Sequence, residues 1–112
     1  MPWEQLEHAG TRYAVLFTYA VPDDAWYVEL SEAVPAPPAW ASSPDAETHL
    51  PGAALLTAVV PDEDLIRQPT IVVHPDSERV IPYEVMRWYL GKVAEEVERC
   101  RAALIESSHN DT

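Results

Sequence analysis

One cysteine, one lysine and three glycines among 112 residues set the first limits. A lone thiol, Cys100, closes no intrachain disulfide, so the fold must rest on a packed core. Gly10, Gly52 and Gly91 stand far apart and form no phosphate-cradling loop. The longest apolar stretch, Ala53 to Val60, falls far short of the roughly 20 residues that span a membrane as a helix.

Basic residues are the scarcest of all. Seven Lys and Arg face 19 Asp and Glu, a net charge of −12. Nucleic acid and anionic membranes are bound through Lys and Arg clusters, so neither is expected as a direct partner. Met1 to Gly10 holds Glu4 and Glu7, with no basic residue and no apolar run. It does not read as a signal peptide, and a cytoplasmic protein is expected.

Several chemistries lack their residues. His8, His49, His74, His109 and Cys100 are scattered without a metal-ligand spacing, so no metal or other cofactor is expected. A calcium loop opening at Asp62 would place Ile66, Arg67 and Val73 where an oxygen ligand, a glycine and a closing glutamate belong. No serine stands in a nucleophile-elbow context, and no catalytic residue is assigned. Pro35-Ala36-Pro37-Pro38 favours an extended polyproline conformation, read as a rigid surface connection.

What remains is acid with an address. Met1 to Asp64 carries eleven acids against Arg12 alone, or −10; Leu65 to Thr112 carries eight acids and six bases, or −2. High net charge aids solubility, but placed in one half it also attracts and steers a basic partner.

The patterning predicts an α+β domain, residues 1–112, with an antiparallel sheet of about four strands in the order β-β-loop-β-β-α. Thr11 to Ala20 and Ala25 to Ala33 alternate with period two, and Pro22-Asp23-Asp24 turns the chain between them. Residues 34–52 are expected to be a proline-rich loop, because Pro35, Pro37, Pro38, Pro44 and Pro51 remove ladder donors. Ala53 to Val60 and Thr70 to His74 supply two more strands. A C-terminal helix follows Pro82, with Met86, Leu90, Val93, Val97, Cys100 and Leu104 on its apolar stripe. Glu84–Arg87, Lys92–Glu96, Glu95–Arg99 and Glu98–Arg101 have ion-pair spacing, Gly91 suggests close approach to the sheet, and residues 107–112 are expected to fray.

These features favour a small non-enzymatic binding or regulatory module that meets a basic protein partner through its N-terminal half. The candidate binding residues are Asp23, Asp24, Glu29, Glu32, Asp45, Glu47, Asp62, Glu63 and Asp64. Two other classes compete. One is an enzyme or small-ligand protein with an aromatic pocket near Tyr13, Tyr19, Trp26 and Trp40; the other is a homodimer hiding an uncovered sheet face.

Overall fold

The computed structural model describes residues 3–42, 47–64, 66–74 and 80–110. Among them the elements run β1 (Trp3–His8), β2 (Thr11–Ala20), a 3-10 turn (Val21–Asp23), β3 (Ala25–Pro35), a second 3-10 turn (Pro38–Ser42), β4 (His49–Pro61), β5 (Thr70–Val73) and α1 (Tyr83–Asn110). The strands form one antiparallel sheet in the order β1-β2-β3-β4-β5. The α+β architecture is as the sequence predicts, with five strands rather than about four.

The added strand is β1, paired with β2 from Trp3↔Leu16 to His8↔Thr11. Its turn is only Ala9-Gly10, both with positive φ (49° and 83°), which matches the twist of a tight hairpin. The strand was hard to see because its alternation sets Glu4, Leu6 and His8 against Trp3, Gln5 and Glu7, mixed in polarity on both faces.

The stretch 34–52 is not all loop. β3 pairs with β4 through Ala33↔Pro51, Val34↔Leu50 and Pro35↔His49. Two features let proline into the ladder. Among the described residues β5 covers only Leu56 to Val59, which leaves β4 an edge strand at Pro51. The β3–β4 register also shifts at Leu30/Ser31 and Ser31/Ala33, and bulges of this kind admit unpaired backbone groups. There the Gly52 N–H donates to Ser31 Oγ at 3.2 Å, a side chain replacing a ladder acceptor.

α1 covers one face. Tyr13, Val15, Val28, Leu30, Leu56, Ala58 and Val60 from the sheet meet Val85, Tyr89, Val93 and Cys100 from the helix. The helix is turned relative to the expected stripe: Val85, Tyr89, Val93, Glu96 and Cys100 are buried, whereas Leu90 is 44% exposed. Tyr89 takes an inward position because its hydroxyl finds the Val28 carbonyl at 2.9 Å, so its ring is buried without an orphaned polar group. Glu96 is buried because it pairs with Arg99. Lys92 therefore joins Glu4 (2.8 Å) and Glu95 (3.8 Å) rather than Glu96, while Glu84–Arg87 stands at 3.9 Å as the spacing implies. Gly91 is exposed and a Cβ there would meet nothing within 4 Å, so it marks no approach to the sheet. The helix is assigned through Asn110, and Asp111 and Thr112 lie outside the described residues. No helix among the described residues is long and apolar enough to cross a membrane.

Candidate functional site

The β2–β3 turn and the segment leaving β4 are 38 positions apart in sequence and meet in space. Pro61 pairs with Ala25 at the last rung of the β3–β4 ladder. The next residue on each strand then continues the contact, and the Asp62 N–H donates to the Asp24 carbonyl at 3.3 Å. Asp23, Asp24, Asp62, Glu63 and Asp64 thus gather at one end of the sheet.

The backbone there is held by specific devices. Asp24 adopts a left-handed conformation (φ 48°, ψ 51°) and its N–H donates to the Val21 carbonyl at 3.2 Å. This is a conformation aspartate tolerates better than most residues. Asp64 Oδ1 accepts from the Ile66 N–H at 2.8 Å, which turns the chain back toward β5. Arg67 donates to the backbone carbonyl of Asp23 at 2.9 Å. The cation thereby braces the turn, offsetting one charge of the five nearby.

Aromatic side chains line the acids. The Tyr19 hydroxyl donates to Asp62 Oδ1 at 3.1 Å, and the Tyr27 hydroxyl donates to Asp23 Oδ2. Tyr19 meets Trp26 edge to face, with centroids 5.2 Å apart at 70°. The Arg99 guanidinium lies 5.1 Å over the Trp26 ring and is itself paired with Glu96. The acidic end is therefore fastened to the helix through Tyr19, Trp26 and Arg99.

Burial, then the hydrogen bond to Asp62, then the charges of Asp62, Glu63 and Asp24 push the Tyr19 phenol from 10.0 up to about 12. The bond to Asp23 raises Tyr27, with burial second, and burial raises Tyr89. A phenol raised on folding favours the protonated native state. Its stabilisation is complete below the ordinary value of 10.0 and fades as pH rises toward about 12. An ultraviolet titration should therefore find Tyr19 ionising well above an unperturbed tyrosine, with stability falling over the same window. Asp62→Asn should bring Tyr19 partway back. Five tyrosines titrating together near the ordinary value would contradict this geometry.

The remaining candidate residues lie elsewhere. Glu29 is half-buried in mid-β3, opposite Leu16 and Thr57 on the face turned from α1. Glu32 lines a cleft of about 400 Å³ with Glu7, Arg12 and His49 at the other end of the sheet. It is eight residues along β3 from Asp24, roughly 25 Å at about 3.3 Å per residue. Glu47 belongs to that far end too, next to Thr48, whose carbonyl accepts from the Ala36 N–H at 2.9 Å. Asp45 lies outside the described residues. The structure thus joins five of the nine acids and separates three.

No family model matches the chain, and no similar protein is found among curated sequences or solved structures. Among the described residues no group of three or more His, Cys, Asp or Glu is placed to hold a metal ion. Of the aromatics named as a pocket, Tyr19 and Trp26 meet edge to face and the other two lie apart from that pair. Tyr13 is buried, Trp26 packs against the core, and Trp40 is 42% exposed beyond the far end of β3. Burial, then the neighbouring Glu96 charge, push the Cys100 thiol up to about 11, which keeps it protonated and unreactive at neutral pH. A separate open cleft of about 470 Å³ lies between β1 and the start of α1, lined by Leu6, His8, Glu84, Arg87 and Trp88.

Sequence reading missed Tyr19, Tyr27 and Arg67 as members of the acidic end. Period two did place both tyrosines beside the turn. Nothing local indicated that Asp62 would return to Asp24, because that depends on the β3–β4 register.

Proposed function

We propose that the chain is a non-enzymatic binding module whose acidic end engages a basic surface or segment of a protein partner. The observation that carries this reading is the Asp62–Asp24 contact, which brings two acidic turns together at one end of the sheet, with Tyr19 bonded to Asp62 on the α1 face and Tyr27 bonded to Asp23 on the other. Five carboxylates on a braced backbone attract Lys and Arg, and exposed phenol edges add apolar contact for their stems. Three of those acids hold hydrogen bonds that fix their direction, so less order is lost when a cation arrives.

The test is affinity capture from a cell extract at low and high salt, with the wild-type chain beside a variant carrying Asp23→Asn, Glu63→Gln and Asp64→Asn. Capture of a basic protein by the wild type should fall steeply with salt and should be lost by the triple variant at low salt. Retention of the same partner by both chains at high salt would rule out the acidic end as its docking site. A control variant, Glu7→Gln at the opposite end, should capture as the wild type does.

A further inference from the structure

Among the described residues the outer side of the strand next to the acidic end pairs with no other backbone. β5 is the last strand of the sheet, and Ile71, Val72 and Val73 are 44%, 46% and 68% exposed. Natural edges are usually blunted by charge, proline or a bulge. Thr70-Ile71-Val72-Val73 is short and bracketed in sequence by Pro69 and Pro75, but within it there is neither charge nor proline, and its register with β4 runs unbroken from Val59↔Thr70 to Leu56↔Val73. The opposite edge shows the contrast: β1 carries Glu4 and Glu7, and Glu4 is paired with Lys92 at 2.8 Å.

The hydrogen-bond direction along β5 can be read from its end. His74 N–H donates to the Leu55 carbonyl at 3.2 Å, and its ring Nε2 lies 2.7 Å from Thr57 Oγ1. Residues two apart on a strand point their backbone groups the same way. Val72 therefore faces β4 with His74, and Ile71 and Val73 turn their N–H and C=O groups outward. Among the described residues no other backbone pairs with that outer side. Its upper end is close to charge: Thr70 is opposite Val59, three residues before Asp62.

We infer that β5 accepts an extended segment of the basic partner as a sixth strand, with the segment's Lys or Arg residues meeting the acidic end. This deepens the proposed function and rests on it. β5 runs away from the acidic end, so a strand added antiparallel runs toward it. The fitting segment is a short β-branched or apolar run followed, on its C-terminal side, by basic residues. Backbone pairing to Ile71 and Val73 supplies the affinity, while Asp62, Glu63 and Asp64 select the charge.

The probe is a synthetic peptide, Thr-Val-Thr-Val followed by Arg-Arg-Lys, with binding to the full chain read by fluorescence anisotropy. Val73→Pro removes an outward N–H and blocks the edge without touching the β4 ladder, and circular dichroism checks that the variant folds. It should weaken binding roughly tenfold or more, and so should Glu63→Gln with Asp64→Asn. The reversed peptide, with its basic residues first, should bind more weakly. If Val73→Pro binds as the wild type does while the acid variant loses affinity, strand addition is wrong and the acidic reading stands. If the peptide does not bind, or neither variant alters binding, both fail. If β5 pairs instead with a second copy, the mass will double with concentration in a way Val73→Pro abolishes, and the edge is not the partner's.

Discussion

Tyr89→Ala is expected to cost about 3–5 kcal/mol of stability, a large share of the roughly 5–15 kcal/mol a domain of this kind has. Tyr89 has no exposed surface and is among the largest fully buried side chains. Its ring fills the space between α1 and the sheet, and its hydroxyl reaches the Val28 carbonyl of the central strand. The two contributions separate by substitution. Tyr89→Phe keeps the ring and removes one buried hydrogen bond to a carbonyl that stays paired in the β3–β4 ladder, for about 0.5–1.5 kcal/mol; alanine adds the cavity. Urea unfolding followed by circular dichroism measures both. A phenylalanine variant as stable as the wild type would mean that the hydroxyl contributes nothing to seating the helix.

Gly52→Ala should destabilise by about 1–3 kcal/mol, the range for forcing atoms into a packed site. A Cβ built at Gly52 falls 2.5 Å from the Glu32 carbonyl oxygen and 3.1 Å from Val34 Cγ1. The first neighbour is backbone, so the strands must part where the register shifts. Close approach, rather than an unusual φ, is what demands glycine here. Thermal unfolding gives the loss. Because this site is at the far end of β3 from Asp24, the binding proposed for the acidic end should survive in the folded fraction of the variant. Wild-type stability in Gly52→Ala would show that the β3–β4 bulge yields freely.

The two substitutions also mark what local pattern reveals and what it hides. Period-two alternation in Thr11 to Ala20 and Ala25 to Ala33 set out the central hairpin, because one side of each strand is buried and the pattern must follow it. The helix was equally plain, yet its phase was not: Val85, Met86, Tyr89, Leu90 and Val93 form a band wider than one stripe, and the choice of Tyr89 over Leu90 was decided by a carbonyl on β3. Pro51 suggested a break that the bulge and the short β5 remove. The acids were visible one by one. Their grouping was not, since Asp23-Asp24 and Asp62 to Asp64 meet only through the β3–β4 register, while Glu32, in the same charged half, ends up at the other end of the sheet.

That grouping is tested most directly by mapping where a cationic peptide touches the chain. An oligo-arginine peptide titrated into isotope-labelled protein, followed by NMR amide shifts at low and physiological salt, reports every residue at once. If the acidic end is the docking surface, the shifts will concentrate on Tyr19 to Tyr27 and Asp62 to Arg67, saturate, and shrink as salt is added. Small shifts spread evenly over all carboxylates, or a maximum around Glu7, Glu32 and Glu47, would show that the joined turns confer no preference and would contradict the proposed role.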